Sequence, residues 1–83
     1  MTTLFVLDID DFRPVATAAA ADPAVTVRRR GPYLELTADG GIAVERAATG
    51  CRNAVWYSCV AAVRGTVTRW DSTGLTVAPA VTR

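Results

Sequence analysis

The fold is decided by residues 3–9, which read Thr3-Leu4-Phe5-Val6-Leu7-Asp8-Ile9. Four large apolar residues follow one another here with no polar side chain between them. An uninterrupted run of this kind is typical of a strand that is buried on both faces. Such a strand lies inside a sheet, so we expect it to form the centre of the fold.

An alanine-rich helix is predicted directly after this strand. Asp10 or Asp11 is placed to cap it, because a short carboxylate accepts hydrogen bonds from the first free backbone N–H groups. Pro14 fits the first turn, and Pro23 ends the helix. The apolar stripe at i, i+3, i+4 and i+7 consists of Phe12, Val15, Ala16 and Ala19.

Three strands with a period of two are predicted next, over Val25–Arg30, Tyr33–Ala38 and Ile42–Glu45. Gly31-Pro32 separates the first two, and Asp39-Gly40-Gly41 separates the last two. Because glycines supply the positive φ that tight hairpins require, we expect an antiparallel meander.

A hairpin is predicted near the end of the chain. Thr66–Trp70 and Leu75–Ala78 flank a short polar turn that ends in Gly74. Pro79 cannot donate a ladder hydrogen bond, so we expect the last strand at a sheet edge.

The segment Cys51–Arg64 allows two interpretations. Gly50 and Gly65 bracket it, and its β-branched and aromatic content is compatible with a strand. We favour a helix, because its apolar residues form a helical stripe. That stripe consists of Val55, Trp56, Cys59, Val60 and Val63.

These patterns predict one α+β domain over residues 1–83. Its core is a small, mainly antiparallel sheet of five or six strands, with one or two helices on one face. Half of the residues (51%) are apolar, which is a high share for so small a body. We therefore expect some apolar surface to be buried between two copies in a homodimer.

The composition removes several kinds of chemistry. The chain has no histidine and no lysine, and all nine basic residues are arginines against eight acidic residues. Without imidazole or amine groups, the usual general base, metal ligand and Schiff-base nucleophile are missing. We expect no cofactor and no bound metal, and we lean away from an enzyme. The near-neutral charge of +1 argues against a nucleic-acid partner.

The cysteines and the apolar segments bear on location. Cys51 and Cys59 match no zinc or redox motif, so we expect reduced thiols in a cytoplasmic protein. The first residues lack the basic region of a signal peptide. The apolar stretch Ala54–Val63 is only about half as long as a bilayer span of roughly 20 residues, so we expect no membrane partner.

The string Leu4-Phe5-Val6-Leu7-Asp8-Ile9-Asp10 resembles the first motif of the haloacid-dehalogenase phosphatases. The resemblance implies Asp8 as nucleophile and Asp10 as acid/base, with magnesium between them. It ends where Asp11-Phe12 replaces the family's threonine, and no lysine exists for the later motif. An apolar strand followed by helix-capping acids gives the same string, and we favour that interpretation.

The triplet Arg28-Arg29-Arg30 is the densest charge in the chain. Guanidinium groups bind phosphate oxygens in pairs, so an anion clamp is one interpretation. We favour a structural role, in which Arg28 and Arg30 share a solvent-facing side with Glu35 across a hairpin. Arg29 would then point to the opposite face.

Aromatic residues with nearby arginines indicate a binding surface. Trp56, Tyr57 and Arg52 belong to residue types that dominate protein interfaces. We favour a core position for Trp56 and an even choice between exposure and an interface for Tyr57. Cys51, just after a glycine, would be a reactive thiol only if a helix began there.

Three functions remain open after the sequence. The first is a small non-catalytic interaction module or accessory subunit, which binds itself as a homodimer or binds a larger protein. The second is a small-ligand or anion-binding domain that uses Arg28, Arg30, Arg52 and Tyr57. The third, which we favour least, is an enzyme that uses Asp8, Asp10 or Cys51.

Overall fold

The structure, a computed structural model, describes residues 1–80. These residues contain seven strands and three helices. In chain order they are β1 (Thr2–Leu7), α1 (Arg13–Ala20), β2 (Thr26–Arg30), β3 (Tyr33–Ala38), β4 (Ile42–Glu45), α2 (Arg46–Thr49), α3 (Asn53–Trp56), β5 (Ala62–Arg64), β6 (Thr66–Trp70) and β7 (Gly74–Ala78).

The strands form two sheets, and all the pairs of neighbouring strands are antiparallel within the described part of the chain. The first sheet has the order β2-β3-β1-β5, and the second has the order β4-β7-β6. β1 therefore lies inside its sheet, as predicted. The α+β class and the antiparallel arrangement are confirmed, but the strands divide between two sheets instead of forming one.

One hydrophobic core joins the two sheets to α1. Leu4 and Val6 of β1 are fully buried in it, whereas the alternating residues Phe5 and Leu7 are only partly buried. The prediction of a strand buried on both faces is therefore wrong for the second face. The other large, fully buried side chains of the core are Val15, Leu36, Ile42, Trp56, Leu75 and Val77.

α1 turns its predicted apolar stripe to this core, with Val15, Ala16 and Ala19 buried. It begins after Phe12, which makes no side-chain capping bond, so the expected cap by Asp10 or Asp11 is wrong. Asp8 and Asp10, which precede the helix, instead accept hydrogen bonds from the guanidinium of Arg13 in its first turn. Within residues 1–80, no helix is long and apolar enough to cross a bilayer.

Two glycines lie where the chain passes from the first sheet to the second. At Gly41, between β3 and β4, a Cβ atom would lie 2.8 Å from the carbonyl oxygen of Val77. At Gly65, between β5 and β6, φ is +146° and a Cβ atom would lie 2.6 Å from the carbonyl oxygen of Ala78. Because glycine has no Cβ atom, the backbone of both connections can pass close to the end of β7 without a clash.

These crossings correct the expected meander. β2 and β3 do pair, but the second partner of β3 is β1, and β4 pairs with β7. The hairpin of β6 and β7 is confirmed. The edge position expected from Pro79 is wrong, because β7 lies between β4 and β6. Pro79 follows the last ladder residue, where its missing N–H has no ladder partner to lose.

The helix predicted over Cys51–Arg64 is wrong. Helix α3 ends at Trp56, and the chain then joins the first sheet as β5. The N–H of Ala61 donates a 2.9 Å hydrogen bond to the carbonyl of Phe5 at this junction. The free edge of β1 offers backbone donors and acceptors that need partners, and this tertiary pairing overrides the local helical pattern.

Candidate interaction surface

The first sheet has one face that none of the described helices covers. α1 packs on the side of Leu4, Val6 and Leu36, and the alternate residues of the four strands point the other way. We call that second side the open face. It is formed by Thr26, Arg28 and Arg30 of β2, Tyr33, Glu35 and Thr37 of β3, Thr3, Phe5 and Leu7 of β1, and Ala62 and Arg64 of β5.

The centre of the open face is apolar and aromatic. Phe5 and Tyr33 meet edge to face, with ring centroids 6.4 Å apart and an angle of 78° between the rings. Leu7 lies directly opposite Tyr33 in the register, and Tyr33 is 37% exposed. Edge-to-face pairs of aromatic rings are favourable, so Phe5 and Tyr33 support each other's position, and with Leu7 they form an apolar contact surface.

Arginines surround this centre. Arg30 Nε lies 3.4 Å from Glu35 Oε2, which confirms the predicted ion pair across the hairpin. Arg28 lies opposite the same glutamate, and Arg64 is exposed on the far strand β5. Glu35 is the one acidic residue of the open face, and its side chain is only 13% exposed beneath Arg30. The open face therefore carries an excess of positive charge.

The outer face of the second sheet differs in character. Its outward positions follow from the register with the buried residues of β4 and β7, and they carry small or polar side chains. They are Ala43, Glu45, Thr66, Arg69, Thr76 and Ala78. Val67 of β6 pairs with the buried Val77 on the inner side of this sheet, yet it is 42% exposed. On the outward sides of the described strands, large apolar side chains stand on the first sheet only.

Asp8, at the end of β1, is held by two arginines. Arg13 Nε lies 2.7 Å from Asp8 Oδ1, and Arg29 Nε lies 3.4 Å from Asp8 Oδ2. The hydrogen bond from Arg13, with smaller contributions from both positive charges, lowers the pKa of Asp8 below its ordinary value. Arg13 also donates to Asp10. The guanidinium of Arg29 therefore faces away from the open face, as predicted.

This arrangement corrects the phosphatase resemblance. In the resemblance Asp8 is a nucleophile at the end of a strand in a parallel sheet. Here both neighbours of β1 are antiparallel to it. The Asp8 carboxylate is occupied by ion pairs with two guanidinium groups, which suits an anchor for α1 and β2 better than a nucleophile.

A shallow cleft of about 510 Å³ lies beside this acidic loop. Asp10 and Asp11 line one side, and Cys51, Arg52 and Val55 line the other. Cys51 is partly exposed, and both cysteines are free thiols. In the part of the chain that the structure describes, no three His, Cys, Asp or Glu side chains come close enough to hold a metal ion.

The aromatic residues near α3 form a separate feature. Trp56 is fully buried, and its Nε1–H donates a 2.7 Å hydrogen bond to the carbonyl of Asp71. It therefore belongs to the core. Tyr57 is 46% exposed and lies beside Trp70, with ring centroids 6.0 Å apart. Arg52 is exposed where α3 begins.

The five residues predicted to bind a ligand or partner thus do not form one site. Arg28 and Arg30 share the open face, Arg52 and Tyr57 flank α3, and Trp56 is internal. The sequence reasoning missed Phe5, Leu7 and Arg64 on the open face. In β1, every residue from Leu4 to Leu7 is apolar, so the sequence does not show that Phe5 and Leu7 point to the opposite face from Leu4 and Val6. Arg64 joins the open face through the pairing of β5 with β1, which no local sequence pattern indicates.

No family model and no curated protein sequence matches this chain. A solved structure does: a chain in the structure of a phenol hydroxylase–regulatory protein complex superposes with a TM-score of 0.78 at 15% sequence identity. The superposition covers 93% of this chain and 95% of that chain, so the two are of similar length. At this identity the likeness establishes the shared fold.

Proposed function

We propose that this protein is a small non-catalytic accessory subunit that binds a larger enzyme and regulates it. The observation that carries the proposal is the superposition, almost from end to end, on a chain of similar length from a complex of an enzyme with its regulatory protein. Fold alone does not imply function. The surface chemistry of this chain supplies the second support.

That chemistry favours contact over catalysis. The open face offers Phe5, Leu7 and Tyr33 to a partner, and none of the helices within residues 1–80 covers them. Aromatic and arginine side chains are enriched at protein interfaces. Asp8, the candidate nucleophile, is engaged by two arginines, and the chain has no histidine or lysine to activate Cys51.

The anion-clamp alternative has less support from the geometry. Arg29 binds Asp8 and Arg30 binds Glu35, so two of the three adjacent guanidinium groups already face carboxylates. A homodimer is the competing proposal for the partner, and the same experiment tests it. The two free thiols support the proposed cytoplasmic location, where cysteines stay reduced.

The test uses the phenol-hydroxylase-type enzyme of the organism that encodes this chain. Sedimentation velocity of the enzyme with and without the protein detects a complex, and steady-state turnover detects regulation. We expect a complex at micromolar concentration and a turnover rate that changes until the protein saturates the enzyme. Absence of a complex, or a complex with unchanged turnover, contradicts the proposal. Self-association of the protein alone would support the homodimer instead.

A further inference from the structure

We propose that the open face is the docking surface, and that its occupant is a larger protein whose surface presents carboxylates around an apolar side chain. This inference rests on the proposed function and names the surface and the partner chemistry. Arg28, Arg30 and Arg64 stand around the apolar centre against the single, largely covered Glu35.

The available charges favour an acidic partner. Among residues 1–80, no carboxylate lies within salt-bridge distance of Arg28 or Arg64. A partner carboxylate at either position gains a charge-assisted hydrogen bond and, in the guanidinium fork, two parallel ones. The apolar side chain between the partner's carboxylates would meet Tyr33 and Phe5, whose rings are ordered by their mutual contact.

A second copy of this chain fits the open face poorly. Two copies related by a two-fold axis would bring arginine-rich rims together, and like charges at an interface cost affinity. Four strands of up to six residues give a face of about 400 Å² at about 4.8 Å between strands and about 3.3 Å per residue. Two such faces bury about 800 Å², below the roughly 1,200 Å² of stable specific interfaces. A larger protein with carboxylates can extend the contact to the arginine rim, which two copies cannot do without bringing like charges together.

Isothermal titration calorimetry with the phenol-hydroxylase-type enzyme tests the docking surface. The first variant, Arg28→Glu with Arg64→Glu, reverses two exposed charges on the open face. The second, Tyr33→Ser, removes the exposed aromatic ring. The control, Arg52→Glu, reverses one exposed charge beside α3, outside the open face. Far-ultraviolet circular dichroism and thermal unfolding verify that each variant is folded.

We expect the double charge reversal and Tyr33→Ser each to weaken binding about tenfold or more, and Arg52→Glu to bind like the wild type. Raising the salt concentration should weaken wild-type binding and have less effect on the double variant. If Arg52→Glu weakens binding while the open-face variants bind normally, the docking surface is wrong and the proposed function stands. If the wild-type protein does not bind the enzyme, both fail.

Two further measurements separate other occupants. Sedimentation equilibrium of the wild type and the double variant without enzyme tests a second copy: self-association that the charge reversal abolishes would overturn the proposal. Fluorescence anisotropy with a single-stranded oligonucleotide tests nucleic acid, since exposed aromatic rings beside arginines also stack on bases. Micromolar binding of the oligonucleotide that depends on Tyr33 and Arg28 would also overturn the proposed protein docking surface. We expect neither result.

Discussion

At the scale of single residues, two groups of charged side chains differ in their partners. Asp8, Arg13 and Arg29 are engaged with one another and fasten α1 and β2 to the end of β1. Arg28 and Arg64 stand outside such pairs in the described residues, on the open face. The first group holds elements together, and we propose that the second contacts a partner, so substitutions in the two groups should have different effects.

Asp8 should make the folded state sensitive to acid. Its folded pKa lies below the ordinary value of 3.8, so its stabilising effect is complete above that value and is lost as the pH falls through the lower folded pKa. We expect Asp8→Asn to be less stable than the wild type at neutral pH and to lose less stability between about pH 5 and about pH 2. Urea unfolding at several pH values measures both effects.

Asp39→Asn is the control for this experiment, because none of the salt bridges within residues 1–80 involves Asp39. Its stability should follow the wild-type pH profile. The wild type keeps some acid sensitivity from Asp71, whose pKa is lowered chiefly by hydrogen bonds from Thr73. An Asp8→Asn profile that runs parallel to the wild-type profile would contradict the role given to Asp8.

The two cysteines should differ in reactivity. Cys59 is 1% exposed, and burial raises the pKa of its thiol to about 11. Since the thiolate is the nucleophile, Cys59 should not react in the folded protein at about pH 8. Cys51 is partly exposed and should react alone. Titration with a thiol-specific chromogenic reagent should count one fast thiol in the native protein and two in urea; two fast thiols in the native protein would refute this.

At the scale of elements, the sheet crossings depend on glycine. Gly65→Ala forces a side chain into a conformation with φ of +146° and against the end of β7. We expect it to lower the free energy of unfolding by about 1–3 kcal/mol, measured by urea denaturation. Gly40→Ala is the matched control, because a Cβ atom there meets nothing within 4 Å. Equal stability of the two variants would show that the crossing at Gly65 tolerates a side chain.

Local patterns predicted the elements better than their partners. The periods of β2 and β3, the apolar stripe of α1 and the hairpin of β6 and β7 are properties of neighbouring residues, and all were predicted. The pairing of β4 with β7, and of β5 with β1, joins distant parts of the chain. Tertiary pairing therefore determined the structure of β5, whose residues belong to a segment with helical apolar spacing but form a strand.

The candidate surface was predictable only in part. Arg28, Arg30 and Glu35 follow from the alternation along one hairpin, and the sequence placed them together. Phe5 joins them only because β1 pairs with β3, and Arg64 only because β5 pairs with β1. A surface assembled from four strands becomes visible when the strand order is known.

At the scale of the whole molecule, many of the large apolar side chains are buried in one core. The radius of gyration is 11.6 Å, close to the roughly 12 Å of a compact domain of this length. Two sheets and α1 share one core, which accounts for much of the apolar composition on which the homodimer prediction rests. The apolar residues left on the open face are few and central, as in a docking surface for another protein.

The most direct test is a map of the contact surface by methyl nuclear magnetic resonance. The methyl groups of Leu7 and Ala62 report on the open face, and that of Ala43 reports on the outer face of the second sheet. On addition of the phenol-hydroxylase-type enzyme proposed as its partner, the account predicts that the Leu7 and Ala62 signals shift or broaden while the Ala43 signal does not. Perturbation of Ala43 with Leu7 and Ala62 unchanged, or no perturbation at all, would contradict it.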